Sequence, residues 1–308
     1  MLSIVIVNFN TLELLRQCLA SLREHAADAE VIVADNASRD DSPEMVRDEF
    51  PDVKLIVSPE NLGFAGGNNL ALAEATGEFV LLLNSDTVVR DDSLRRCVEW
   101  LQRNPAVGAV SPSLIGADGN PQQCVHPFPT LRDELRLAFR KQIEPPAGEG
   151  VTDGWLAGTA LFIRASALEQ IGGGLDATFF MYWEDCEISA RLREKGWKLA
   201  VLPEAHVVHH GGGSGGGADA TRRADLQAWY VYGKHRYFTR HRGRFESALV
   251  GVLEALNVGR MYLRSLRHRD RRGEAVHAKV LAKGVWRWLW GATPPRPLEK
   301  PSELRDNP

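Results

Sequence analysis

Long apolar runs are absent from these 308 residues. No stretch reaches 18 uninterrupted apolar residues, the length that marks a membrane-spanning helix. The chain opens on Met1-Leu2-Ser3-Ile4-Val5-Ile6-Val7-Asn8 with no basic segment ahead of the apolar one, so no secretory signal is read and a cytoplasmic location is expected. Cysteine is scarce as well. Cys18, Cys97, Cys124 and Cys186 stand apart without C-x-x-C spacing, which excludes a zinc ribbon and, in a reducing compartment, leaves four free thiols. The remainder is 44% hydrophobic and 25% charged, a folded globular composition that excludes a disordered regulator.

The net charge of −3 hides an asymmetry. From Asp219 onward 19 Lys and Arg stand against 9 Asp and Glu, a balance of +10; the first 218 residues hold the remaining 18 against 31, a balance of −13. A basic carboxy-terminal region suits an anionic surface, whereas an acidic body suits a metal-assisted site. Nucleic acid is set aside as a partner, because the basic region carries no recognisable reading motif.

Short apolar runs alternating with amphipathic stretches predict βα units on a largely parallel sheet. Strands are read at Leu2 to Val7, Val31 to Ala34, Val53 to Val57 and Phe79 to Leu83, all apolar on both faces as buried parallel strands must be. Between them Leu12, Leu15, Leu19 and Leu22 keep helical spacing after Thr11, a candidate N-cap, and Ala65 to Ala75 and Ser93 to Gln102 read as helices. The pattern weakens from Pro105 to Gly150, where Gly116-Ala117-Asp118-Gly119-Asn120-Pro121 reads as a hairpin-like turn of no assigned function. Periodicity resumes at Thr159 to Ile163 (strand), Glu184 to Lys195 (helix) and Lys198 to Leu202 (strand), ahead of the glycine run Gly211 to Gly217. Beyond it the chain reads as helical. Leu249, Val252, Leu253, Leu256, Leu263 and Leu266 form one stripe, Arg260, Arg264, Arg267 and Arg271 another, and Lys279, Lys283 and Arg287 lie near Trp286, Trp288 and Trp290. Basic residues with tryptophan suit a membrane interface, and a solvated helix face explains the same pattern.

Several polar groups follow the predicted strands. Asn84-Ser85-Asp86 continues directly from Phe79 to Leu83, so a carboxylate lies at the carboxyl end of a strand, where open α/β sheets place ligands. It suits Mg²⁺ or Mn²⁺ shared with a diphosphate; an Asx turn or N-cap before Ser93 is the structural alternative. Asp35 ends its strand likewise, placed for a ribose hydroxyl or a base N–H, or for capping the next helix. The segment Asn61-Leu62-Gly63-Phe64-Ala65-Gly66-Gly67-Asn68-Asn69 allows close backbone approach at a helix start. Glu184-Asp185 follows the aromatic run Phe179 to Trp183, an apolar setting that favours the shifted carboxylate a general base needs. Glu187 reads as a dipole-complementing acid, and His209-His210 offers an imidazole to the same metal.

Taken in order, Ser3 to Asn10, Val33 to Ser38, Asn61 to Asn69, Leu82 to Thr87, Phe180 to Asp185 and Val208 to Gly212 resemble the family 2 glycosyltransferases, and among them the bacterial rhamnosyltransferases. The resemblance covers residues 1 to 215 and extends loosely through Trp229 to Arg244. It implies the GT-A fold, a Rossmann-like, mostly parallel sheet flanked by helices over residues 1–218; the basic helical region at 219–308, read from its charge and spacing, is expected either to associate with membrane or to present a solvated face. It also implies an inverting transferase using Mg²⁺ or Mn²⁺ and a nucleotide sugar, dTDP-L-rhamnose, with a glycan or lipid-linked acceptor. Carried over by position, Asn8 and Asp35 line the nucleoside pocket, Gly66, Gly67 and Asn68 lie near the sugar and diphosphate, and Asp86 is the last acid of the metal motif. Asn84 replaces the first acid of that motif on the donor side, and Ser85 stands where related chains often have proline. Asp185 is the base with Glu184 its neighbour, and His209 or His210 is a metal ligand. Two other readings compete. A nucleotidyltransferase would carry a glycine-rich, basic loop where Asn8-Phe9-Asn10-Thr11 stands; a silent sugar-nucleotide-binding scaffold would not need Asp86, Asp185 and the histidines.

Overall fold

The computed structural model describes residues 1–138, 146, 149–211 and 220–267. Gly212 to Gly217, Arg271, Lys279, Lys283, Arg287 and the three late tryptophans lie outside the described residues, as do the side chains of Arg264 and Arg267. The first half of the chain forms β1 (Leu2–Asn8), α1 (Leu12–His25), β2 (Glu30–Asp35), α2 (Ser42–Glu49), β3 (Lys54–Val57), α3 (Gly63–Leu72), β4 (Phe79–Asn84), β5 (Thr87–Val88), α4 (Ser93–Arg103) and β6 (Val107–Gly116). There follow β7 (Pro121–Gln122), β8 (Val125–His126), α5 (Leu131–Ala138), β9 (Gly150–Thr152), β10 (Trp155–Leu156), β11 (Ala160–Arg164) and α6 (Ala165–Gln170). The last elements are α7 (Glu184–Glu194), β12 (Lys198–His209), α8 (Ala220–His241) and α9 (Arg244–Arg267).

Two compact units divide these elements. The first comprises Met1–Phe128, Glu144–Thr178 and Glu184–Gly216; the second comprises Pro129–Ile143, Phe179–Trp183 and Gly217–Pro308. The sequence reading placed the boundary near 218 but gave Pro129–Ile143 and Phe179–Trp183 to the first part. Long-range partners explain the difference: Phe180 stacks on Trp229 at 4.7 Å, and Glu134 pairs with Lys234 at 2.5 Å.

The main sheet of the first unit runs in the order β3-β2-β1-β4-β11-β6-β12-β5. Its first four strands are parallel, β11 is antiparallel to both β4 and β6, and β12 is parallel to β6. Ile4, Val5, Ile6, Ile32, Val33, Leu81 and Phe162 are fully buried, the outcome expected of β-branched and apolar runs covered on both faces. Truncating one of them, Ile6→Ala, removes buried methylenes and leaves a cavity, a cost of about 2–5 kcal/mol. The strand order reverses between β1 and β4, and at such a switch point a crevice opens outside the carboxyl ends of the strands. Asn8 closes β1 there and Asn84 closes β4.

Three local features depart from the sequence reading. Thr11 precedes α1 but does not cap it; its hydroxyl donates to Asn8 Oδ1 at 2.6 Å, and Asp40 Oδ2 instead accepts the Leu12 N–H at 3.0 Å. α3 begins at Gly63, two residues early, with Gly63 at φ 73°, a left-handed entry that glycine adopts without strain. The weak stretch after Pro105 contains the ten-residue β6, whose partner β12 runs unbroken to His209 although the register slips between Leu202 and His206, across Pro203. Gly116 to Pro121 does form the turn of a hairpin, joining β6 to β7. All four cysteines are free and buried.

In the second unit the helices α5, α8 and α9 share a buried ion cluster. Lys234 Nζ lies 2.5 Å from Glu134 Oε2 and 3.1 Å from Glu254 Oε1, and His235 Nε2 lies 2.7 Å from Glu254 Oε2. Gly233 lets α8 approach the aromatic segment, since a Cβ there would stand 3.0 Å from the Tyr182 carbonyl oxygen and from Trp183 Cδ1. The leucine stripe of α9 only partly packs: Val252, Leu256 and Leu263 are each more than half exposed.

Candidate functional site

Polar side chains crowd the ends of β1, β2 and β4. Asn8 Nδ2 donates to Asp35 Oδ2 at 2.8 Å and to Ser38 Oγ at 3.0 Å, and Asp35 Oδ1 accepts the Ser38 N–H at 2.8 Å. Thr11 Oγ1, which donates to Asn8, is also 2.9 Å from Ser85 Oγ. A continuous hydrogen-bonded chain therefore runs Asp35, Asn8, Thr11, Ser85 across three strand ends. Every member is buried, so a group displaced from this chain would lose a partner it cannot replace with water. Parallel pairing sets the alignment, with Asn8 opposite Asp35 and Val7 opposite Asn84.

Asp86 stands one residue beyond Ser85. The short β5 returns antiparallel to the end of β12, with Thr87 opposite His209, and the His210 N–H donates to the Asp86 carbonyl at 2.9 Å. That pairing brings His209 Nε2 to 3.3 Å from Asp86 Oδ1, while the His210 side chain is exposed. Among the described residues no group of three or more His, Cys, Asp or Glu converges as a metal cage. One carboxylate and one imidazole fit a divalent cation that completes its shell with substrate phosphate oxygens, the usual arrangement at phosphate-handling sites. An imidazole favours a transition ion such as Mn²⁺ over Mg²⁺.

The glycine-bearing segment serves the fold at its closest contacts. A Cβ on Gly67 would stand 2.8 Å from Val7 Cγ1 and 2.9 Å from Asn36 Nδ2, and one on Gly66 would stand 2.7 Å from Leu62 Cβ. Asn68 is buried and donates to the Phe64 carbonyl at 2.8 Å. Asn36, unremarked in the sequence, ties the segment to the end of β2 by donating to the Gly63 carbonyl at 2.8 Å.

Glu184 and Asp185 open α7. Two backbone N–H groups fix Asp185, that of Gly158 to Oδ2 at 3.2 Å and that of Cys186 to Oδ1 at 2.8 Å. Burial pushes its carboxyl above the ordinary range, against the pull of those two donors. Glu184 is buried, its Oε2 has no hydrogen-bond partner among the described residues, and burial together with the charge of Asp185 raises its carboxyl well above the ordinary value. The two residues before them, Tyr182 and Trp183, hold left-handed φ values of 70° and 73°. Such non-glycine residues cost on the order of 1–3 kcal/mol each and concentrate where geometry serves function. Glu187 proves to be more than a dipole-complementing acid: it is fully buried and pairs with Arg191 at 2.8 Å, and Arg191 donates to the Ile171 and Gly174 carbonyls. The E-x-x-x-R spacing was the available signal for that lock.

Two consecutive residues join the acid pair to the strand ends. Gly158 donates to Asp185, and the Thr159 carbonyl accepts the Asn84 N–H at 2.9 Å. A Cβ at Gly158 would lie 3.4 Å from both Asp185 Cβ and Phe64 Cε1, so the start of α3 borders the same place.

Residues 3–171, more than half of the chain, match the glycosyl transferase family 2 pattern. The chain belongs to that family. Its sheet is the GT-A fold, and the protein is a glycosyltransferase. Among curated relatives, the N-acetylglucosaminyl-diphospho-decaprenol L-rhamnosyltransferase of Mycobacterium tuberculosis is 29% identical over 268 residues, covering 79% of this chain and 86% of its own. Rhamnosyltransferase WbbL of Escherichia coli is 27% identical over 162 residues, 48% of this chain and 61% of its own. Among solved structures, the mannosyltransferase PcManGT of Pyrobaculum calidifontis, determined with GDP-Man and Mn²⁺, superposes with a TM-score of 0.54 at 20% identity, covering 95% of this chain and 88% of that one.

Proposed function

We propose that this glycosyltransferase is metal-dependent and inverting, and that it transfers L-rhamnose from dTDP-L-rhamnose to a glycan or lipid-linked acceptor. The observation that supports the reading is the Gly158-Thr159 link, which ties Asp185 to the backbone of Asn84, two residues before Asp86. Displacement at an anomeric carbon needs two such stations, one neutralising the leaving diphosphate and one taking the acceptor proton. Asp86 and His209 would hold the cation, which supplies positive charge to the diphosphate. Asn8 and Asp35 would face the nucleoside, and Asn84, Gly66, Gly67 and Asn68 the sugar and diphosphate. Asp185 receives the proton of the acceptor hydroxyl as its oxygen bonds to the anomeric carbon and the bond to the diphosphate breaks, inverting that carbon. The sugar is supported by the likeness to the Mycobacterium tuberculosis and Escherichia coli rhamnosyltransferases.

Thermal shift across a panel of nucleotide sugars, with and without EDTA, tests the reading, because a ligand selective for the native state raises the midpoint by mass action. dTDP-L-rhamnose is expected to give the largest cation-dependent shift and Asp86→Ala to abolish it; a larger shift with a uridine or guanosine sugar, or one indifferent to EDTA, overturns it.

The second unit would bring the enzyme to an anionic membrane face. Among the described residues no helix is long and apolar enough to cross a membrane. Exposed Val252, Leu256 and Leu263 share α9 with exposed Arg260, and basic residues near such a surface contribute about 1 kcal/mol each. Flotation with anionic but not neutral vesicles is the expected result; equal flotation with both, or none, refutes it.

A further inference from the structure

The hairpin between β6 and β7 carries a glutamine whose two polar atoms both engage His209. Gln122 Nε2 donates to the His209 carbonyl at 3.1 Å, and Gln122 Oε1 lies 2.7 Å from His209 Nδ1. A backbone carbonyl can only accept, so the amide is oriented with its nitrogen toward that carbonyl and its oxygen toward the ring. An oxygen without hydrogen can only accept in its turn. The proton of the neutral imidazole therefore sits on Nδ1, and the lone pair of Nε2 points to the side where Asp86 Oδ1 stands 3.3 Å away.

We propose that Gln122 is a positioning residue that fixes His209 in the Nδ1–H tautomer, so that Nε2 is presented with Asp86 as a ligand for a divalent cation. This rests on the reading of Asp86 and His209 as the cation's protein ligands. The hairpin is built to hold the glutamine still. Its turn is closed by the Gly116 N–H on the Asn120 carbonyl at 2.7 Å, and Leu114 pairs with Gln122 across the ladder. A Cβ on Gly116 would stand 2.5 Å from Asp118 Oδ1 and 3.1 Å from Gln122 Nε2, so a side chain there would crowd both polar groups. Groups that orient a ligating imidazole through its second nitrogen typically account for about 10–100-fold in metal affinity. The same geometry separates the adjacent histidines, since His210 contributes its backbone N–H to the Asp86 carbonyl and its ring has no such orienting partner among the described residues.

Nitrogen-15 chemical shifts of the neutral His209 ring in metal-free protein, with Mn²⁺ affinity measured by electron paramagnetic resonance in the presence of dTDP, decide the matter. Wild type is expected as the Nδ1–H tautomer. Gln122→Ala should release the ring toward Nε2–H and weaken Mn²⁺ binding by about 10–100-fold, while Gln122→Glu, which still accepts from Nδ1, should keep the wild-type tautomer. An Nε2–H ring in wild type, or an alanine variant with unchanged tautomer and unchanged Mn²⁺ affinity, overturns the proposal. His209→Ala separates the two failures. If it binds Mn²⁺ as wild type does, the ligand reading itself fails; if it loses Mn²⁺ while Gln122→Ala does not, only the role of Gln122 fails.

Discussion

Glu184, buried, and Asp185, half-buried, stand in the first unit with no cation paired to either among the described residues, whereas Glu134 and Glu254 in the second share the buried Lys234. Burial acts on Glu254 in the same direction as on Glu184 and Asp185, yet the outcomes are opposite. Glu254 ends below the ordinary carboxylate value because the hydrogen bond from His235 and the charge of Lys234 outweigh its burial. Glu184 and Asp185 end above it, because burial outweighs the backbone N–H donors that are their offset. An acid pair supplied with a counter-charge is a structural clamp; one denied it is poised to take a proton. Both kinds of site bury charge, so the partner, and not the burial, tells them apart.

The largest effect is expected from removing the proton acceptor while keeping its shape. Asp185→Asn retains an oxygen for one backbone N–H and loses basicity, so transfer to acceptor should fall by about 10²–10⁴-fold while donor affinity by calorimetry stays near wild type. Glu184→Gln should cost much less. Near-normal turnover in Asp185→Asn, or the greater loss in Glu184→Gln, would move the base elsewhere and dissolve the comparison.

The clamp is broken from its other side. Lys234→Met strands Glu134 and Glu254 against each other, and removing one partner of a buried ion pair costs about 3–5 kcal/mol. Denaturant unfolding followed by a probe in the second unit should show a loss of that order. An unchanged midpoint would mean that solvent reaches the cluster and that its charges do no structural work.

Sequence alone made the acid pair of the first unit visible and hid that of the second. Glu184-Asp185 are adjacent and follow five aromatic or apolar residues, so composition within one window announces them; Glu134, Lys234 and Glu254 are brought together only by the packing of three helices. The same distinction runs through the fold. β1, β2 and β4 were legible as apolar runs with a polar residue at each end, because burial on both faces leaves that mark locally. β6 was not, since Ser111, Pro112 and Ser113 interrupt its apolar pattern. Gln122 and Asn36 were illegible for a related reason: an amide that orients a distant group has no spacing rule, and its meaning lies wholly in what it touches. Thr11 misled in the opposite sense, for a residue of N-cap type turned its hydroxyl to Asn8 and Ser85.

The smallest effect sharpens the contrast most. A carboxyl whose folded value is raised lends stability that is complete below its ordinary value, 4.5 for Glu184, and is lost as pH climbs through the raised value. Below that range the buried Glu184 is neutral and comparable to glutamine; above it the wild type must either ionise a group with an unpartnered buried oxygen or hold a proton against solution. Glu184→Gln cannot ionise and escapes that loss. Asp185 shifts in the same direction, chiefly by burial, and its charge acts on Glu184, so the difference between the two proteins reports Glu184 together with its effect on Asp185. Thermal midpoints across pH should therefore converge in acid and separate toward neutral pH with the glutamine variant the higher, and the acid limb of transfer in wild type should lie above the ordinary carboxylate range. In the second unit the sign reverses: Glu254, held low, gives stability that is present at neutral pH and lost as pH falls, so Glu254→Gln should be the less stable variant at neutral pH. Parallel pH curves for Glu184→Gln and wild type, or a wild type more stable at neutral pH, would show that Glu184 has a counter-charge after all and that the two acid pairs are of one kind.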